Sequence, residues 1–322
     1  MRTLACLALS AALIALHWES AGAQGDITAD PAMVRRILAD TTLVHDLPAR
    51  QSATRVNVAL DVTRTEHAAM GAQLDRLSAL LRSDSAVRRS RGVSLVFRNE
   101  IDVDTSHHGR LLTGVVSMTS WPYGVLDGRL QYYAASSVSL QVNPDLCPAD
   151  EKVYGVGFRR APKSDGRFQG FPMRDSVVVI THRTAPPCLP VSRAQVLVAL
   201  RKQLDPVLRL VEAGSEAHER AHALDALLTQ MSPAERRSDA YLSAKGCEVV
   251  VCFTTAGEDE AEQLVIPNPD FYDRSRPTTI QAVSLALGPL LAPSNPRNEF
   301  HERFIRDVLA AFDWPALTAL VQ

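Results

Sequence analysis

The chain has 322 residues, 46% of them apolar and 22% charged, and its 34 basic and 36 acidic side chains leave a net charge of -2. That balance suits a globular protein with a sizeable core, and it offers no surplus of positive charge to follow a phosphate backbone, so no nucleic acid is expected as a partner. Beyond the N terminus no apolar stretch approaches the roughly eighteen residues that a spanning helix needs, so no membrane span is expected either.

Residues 1–23 read as a signal peptide. Arg2 supplies a positive start, Leu4–Leu16 is an apolar run of thirteen residues, and Ala21-Gly22-Ala23 offers a small-x-small cleavage site. The run is too short to span a bilayer, and Cys6 lies inside it, away from a lipid-attachment position. Cleavage near Ala23 would release residues 24–322 as a soluble protein, periplasmic or secreted.

Asp30-Pro31 has the form of a helix start, a cap followed by proline in the first turn, and the helix should run to about Asp40. Val56, Val58, Leu60 and Val62 alternate with Asn57, Ala59 and Asp61, which predicts a half-buried strand. Met70, Leu74, Leu77 and Leu81 then fall on one helical stripe facing a core. From Gly92 to Asn143 the period changes to two, as in Val93, Leu95, Phe97 and again in Val138, Leu140, Val142. This predicts an antiparallel meander, with turns at Ser106-His107-His108-Gly109 and at Trp121-Pro122-Tyr123-Gly124. Asp102 and Asp104 would share one strand face beside His107, a combination that reads as a polar hairpin end more readily than as a metal site. Further strands are expected at Val153–Phe158 and Ser176–His182, where His182 reads as a structural residue.

Ala185-Pro186-Pro187-Cys188-Leu189-Pro190 is the clearest break, and a soft domain boundary is placed near 185–191. Ser192-Arg193-Ala194-Gln195 is a capping-box start for a long helix, which Pro206 should kink or restart and Gly214 should end. Helices are expected over about Ser215–Met231 and from Ser232-Pro233. Strands return at Cys247–Thr254, Leu264–Pro267 and Thr279–Leu287. A final helix carries Phe300, Phe304, Ile305, Val308 and Phe312 on its apolar face. Strands next to strands, with helices in blocks, give an α+β fold class with antiparallel sheets, taken as one continuous unit.

One motif carries chemistry. His218-Glu219-Arg220-Ala221-His222 is H-E-x-x-H, which on a helix places two imidazoles on one face to bind zinc while the glutamate activates a water. At face value this resembles the zinc peptidases, with His218 and His222 as metal ligands and Glu219 as the catalytic base. Three features oppose it: Arg220 is charged where that helix is normally packed inside the enzyme, no third histidine follows, and Glu235 of the next helix would miss the level of His222 by roughly 9 Å. The bland reading is an amphipathic helix whose apolar stripe is Ala217, Ala221, Leu224, Leu228 and Met231. Other signals are weaker. Gly155-Val156-Gly157 lacks the third glycine of a dinucleotide loop, and Arg88-Arg89-Ser90-Arg91 reads as a solvated loop.

Export makes the cysteines worth pairing. Cys247 and Cys252 flank a β-branched run, and on one strand they would stand roughly 16 Å apart, so they should not bond to each other. Cys147 and Cys188 both lie in turn-like segments beside prolines and are the expected disulfide.

Asn268-Pro269-Asp270-Phe271-Tyr272-Asp273 with Gln281-Ala282-Val283, Ser232-Pro233-Ala234-Glu235-Arg236 and Pro190-Val191-Ser192-Arg193-Ala194-Gln195 together resemble the C-terminal part of certain uncharacterised exported bacterial proteins. The resemblance covers about the last 130 residues and implies no activity. Physically, Asn268-Pro269 is a turn after a strand, and Phe271 and Tyr272 should pin that loop to the core. The expected function is therefore that of an exported, non-enzymatic binding or accessory module without a cofactor, its partner unknown. The alternative is a zinc metallopeptidase.

Overall fold

The computed structural model describes residues 31–105, 109–126, 128–132, 136–147, 157–243, 251–258, 261–287 and 299–322. The expected signal peptide, the turn at 106–108, most of the strand expected at 153–158, Cys247 and the side chain of Phe300 lie outside them. Among the described residues no helix is long and apolar enough to cross a membrane.

The chain opens with helix α1 (Pro31–Ala39), a 3-10 turn (Thr41–Asp46) and two short strands, β1 (Arg50–Gln51) and β2 (Arg55–Val58). Helix α2 (Arg64–Ser83) starts at a full capping box. The Thr63 amide donates to Glu66 Oε2 at 2.9 Å and the Glu66 amide to Thr63 Oγ1 at 3.3 Å, which satisfies two donors that a helix start otherwise leaves open. After α3 (Ser85–Arg89), four strands form the meander: β3 (Val93–Asp104), β4 (Leu111–Leu126), β5 (Arg129–Tyr132) and β6 (Ser136–Val142). Next come β7 (Arg159–Arg160), β8 (Ser164–Phe168), β9 (Phe171–Arg174), β10 (Val177–Thr181) and β11 (Cys188–Pro190). Helices α4 (Arg193–Leu208), α5 (Glu216–Gln230) and α6 (Pro233–Arg237) follow, then β12 (Tyr241–Ser243), β13 (Phe253–Thr254), β14 (Ala261–Pro267) and β15 (Ala282–Ala286). The C terminus is α7 (Glu299–Ala311) and α8 (Trp314–Leu320).

Among the described residues ten strands make the main sheet, in the order β1-β3-β4-β6-β15-β10-β9-β8, with β2 also on β3 and β5 on β4. Its pairs are antiparallel except where β1 and β2 meet β3. One face carries Leu95, Phe97, Met118, Leu140, Ile180 and Val283, packed with Met70, Leu74, Leu77 and Leu81 of α2 and with Ile305, Val308 and Trp314 near the C terminus. The helical stripe and the period of two therefore meet in one core. Helix and sheet approach closely at Gly114, where an added Cβ would lie 3.1 Å from both a Leu74 methyl and the Glu100 carbonyl. A smaller sheet, β11-β14-β12-β13 with β7 on β14, is packed against α4 and α5 through Val196, Leu197, Leu200, Leu224 and Leu264. The fold is α+β.

Several expectations change in detail. The half-buried strand expected over 56–62 forms only in part: β2 ends at Val58, Val58 and Val62 are partly buried against the main core, but Val56 is 46% exposed on this short edge strand and Leu60 beyond it is fully exposed. Trp121-Pro122-Tyr123-Gly124 is no turn but part of β4. The Tyr123 amide donates to Gly92 O at 2.8 Å, which directs the nitrogen of Pro122 away from β3, so proline costs no bond to that neighbour. Pro206 sits inside the last turn of α4, where it has no N–H to give the Lys202 carbonyl, and the helix ends two residues later at Leu208, ahead of Gly214. Within the proline-rich break, Cys188–Pro190 pairs with β14 as a strand. The residues just before β13 are not in a strand, so the rigid separation expected between Cys247 and Cys252 fails at its second end, and Cys252 is itself disulfide-bonded.

Candidate functional site

The period of two that buries Val178 and Ile180 turns Val177, Val179 and Thr181 to the opposite face of the main sheet. The register continues this row sideways: Val179 stands beside Ser284 of β15, and Ser284 beside Gln141 of β6. Among the described residues, no helix contributes to the lining over this part of the sheet. Instead Pro162, Pro172 and the Thr184–Pro187 segment border it, and Phe271 closes one end, leaving a cavity of about 400 Å³. Its lining is mainly apolar, with Arg174 and Arg183 at the edges.

A second cavity, of about 300 Å³, adjoins the first and is more polar, lined in part by Asp102, Asp104, Asn143, Asn268, Tyr272 and Arg274. Asp145, Leu146, Pro187 and Phe271 line both, so they form the partition. Leu146 and Pro187 each precede a cysteine of the Cys147–Cys188 disulfide, whose Cα atoms are 5.7 Å apart. The bond expected from the sequence thus holds the two sides of the partition together.

Behind the cavities lies a fully engaged amide pair. Asn143, 1% exposed and at φ 49°, donates through Nδ2 to Leu112 O at 2.9 Å and Thr279 O at 2.8 Å. Its Oδ1 accepts from the amides of Gln281 at 2.7 Å and Ala282 at 3.2 Å. Gln281, also buried, donates to Asp273 O at 2.8 Å and accepts from the Asp273 amide at 2.7 Å and from the Arg183 guanidinium. Phe271 is 2% exposed and stacks edge-on with Tyr272, whose hydroxyl donates to Pro144 O at 2.5 Å. Burial pushes that hydroxyl well above its ordinary range, so it acts as a donor and not as a base. The loop is pinned as expected, and the pinning residues line the cavities.

The charges around the cavities differ in their company. Arg274 holds Asp104 at 2.7 Å and donates to Gly109 O at 2.8 Å, while its buried Nε has no partner among the described residues. Arg159 is ion-paired with Asp145. Arg174 and Arg183 line the larger cavity and make no ion pair among the described residues.

The H-E-x-x-H residues stand elsewhere, on α5. Glu219 and His222 are exposed, and His218 is half-buried with Nδ1 3.1 Å from the Ser215 hydroxyl. Ala221 and Leu224 supply the buried stripe of that helix. Glu235 is occupied by its own capping box, accepting from the Ser232 amide at 2.8 Å. Among the described residues no three His, Cys, Asp or Glu side chains are grouped so as to hold a metal ion. Asp104 meets Arg274, and the ring of His182 lies 3.3 Å from Thr318 O. Sequence reasoning missed Asn143, Arg183 and Gln281, whose only local signal is a set of polar residues at strand ends. No protein-family model, curated protein or solved structure matches the chain.

Proposed function

We propose that this chain is an exported, non-enzymatic binding module and that its ligand occupies the paired cavities. The observation that carries the reading is the larger cavity: about 400 Å³, apolar over most of its lining, with a few polar groups converging from a rigid sheet. That composition and size are the ordinary character of a small-molecule site. Export is supported by the leader-like residues 1–23 and by a disulfide in the mature region.

The test uses the mature chain and N-phenyl-1-naphthylamine, a neutral apolar dye whose emission rises in a dry site. The wild type should enhance it at one site, and Val179→Arg, which places a charge in the cavity, should abolish the enhancement while circular dichroism is unchanged. The same preparation should hold no stoichiometric zinc. Zinc at one equivalent that is lost in His218→Ala would overturn the reading in favour of the peptidase. Dye uptake indifferent to Val179→Arg would remove the cavity from it.

A further inference from the structure

We infer that the larger cavity takes an uncharged, largely apolar molecule carrying one hydroxyl, which it anchors at Ser284 and Gln141. The inference rests on the binding reading above and adds the ligand class. Among the described residues the lining carries four charges, Arg174 and Arg183 against Asp145 and Asp175, and they sum to zero. The two arginines do not converge on one point. Arg174 ends β9 opposite Val177, at the start of β10, whereas Arg183 follows Thr181 beyond its far end. Asp145 is ion-paired with Arg159, and Asp175 accepts the Lys163 amide at 3.2 Å. The Arg183 guanidinium donates to Gln281 Oε1, and its charge helps to hold the Asp273 carboxyl low, after the Ser275 hydroxyl and amide. A charged ligand would leave water for an apolar floor that offers no net counter-charge, which is costly.

The hydroxyl follows from what the floor leaves open. Val177 and Val179 present only apolar surface, and Thr181 is occupied: its hydroxyl donates to Gln281 O at 2.9 Å and accepts from the Arg183 amide at 3.1 Å. Ser284 and Gln141, side by side across β15 and β6, are the neutral polar side chains that remain on this row. Ser284 is 3% exposed, and its hydroxyl reaches Gln141 Oε1 at 3.5 Å, the outer limit of a hydrogen bond. That contact uses the one Ser284 proton and leaves, among the described residues, the Ser284 lone pairs and the Gln141 amide protons. A ligand hydroxyl both accepts and donates, so it can take a Gln141 proton and give its own to Ser284 Oγ. An ether oxygen can do only the first.

The experiment is displacement of the neutral dye from the mature chain, near neutral pH, by four ligands of matched length: octan-1-ol, its isomer heptyl methyl ether, octanoate and octylamine. Octan-1-ol should displace the dye about fivefold better than the ether, the net worth of one neutral hydrogen bond, although the ether is the less polar of the two. It should outperform both ions by about tenfold or more. In Ser284→Ala/Gln141→Leu the order of alcohol and ether should invert while the dye still binds. Preference for either ion would overturn the uncharged class. An ether that matches or exceeds the alcohol in the wild type would overturn the hydroxyl, and an alcohol preference that survives the double variant would overturn its placement. Each of these results leaves the cavity as a binding site. A dye signal that survives Val179→Arg would overturn the cavity reading itself.

Discussion

Asn143 fastens three parts of the chain that meet nowhere in sequence: the start of β4, the end of β6 and the segment entering β15. Its left-handed backbone is one that asparagine tolerates better than most residues. Asn143→Ala should cost about 3 kcal/mol or more, because several buried backbone groups lose their partners at once. Urea unfolding monitored by tryptophan emission checks this, and a change below about 1 kcal/mol would mean that water replaces the amide. Nothing near Asn143 in the sequence announces the role, since its partner Gln281 is 138 residues away. Phe271 and Tyr272 were legible because aromatics in a turn-rich segment have few uses other than packing. Arg183 was not, because whether an arginine is paired depends on which carboxylates the fold brings near it.

Helix starts were the most legible elements. The boxes at Ser192/Gln195 and Ser232/Glu235 form as spelled, and Thr63/Glu66 makes a third, because a cap is a contact between residues three apart and needs no tertiary information. Strands fared less evenly. The β8–β9 hairpin escaped notice because β8 is exposed along Ser164–Arg167 and shows no apolar alternation. The α2 box has a titratable consequence. Arg110, bonded to Glu66 at 2.6 Å, is the main influence holding the Glu66 carboxyl down, from the ordinary 4.5 to about 2. A carboxylate with a lowered native pKa adds stability that is complete above its unfolded pKa and is lost as pH falls toward the native one. Glu66→Gln should therefore destabilise the protein at pH 7, and the gap between variant and wild type should close between pH 4.5 and about 2. Thermal melts across that range decide it, and a gap independent of pH would assign the loss to the cap alone.

At the scale of the molecule, the chain passes from β7 in the small sheet to β8–β10 in the large one, back to β11–β14, and returns through β15. The proline-rich segment is one of several such passages, a topology that hydrophobic periodicity cannot reveal because every strand reads alike whichever sheet receives it. The disulfide ties one passage to the end of β6. Replacing both Cys147 and Cys188 with serine should lower stability by about 3 to 4 kcal/mol, as expected for a loop with a sequence separation of 41 residues. Chemical denaturation compared with the wild type measures it, and a loss under about 1 kcal/mol would show that the denatured chain already holds the two segments together.

The same bond lies beside the partition between the two cavities, with Leu146 and Pro187 as its immediate neighbours. Those residues belong to segments some forty positions apart, and the wall they share is only as firm as the link behind it. Oxidation is therefore a finishing step for the site as well as a clamp on the fold. A chain matured without it can have every strand in register and still present one undivided chamber, its apolar floor open to the polar compartment next door.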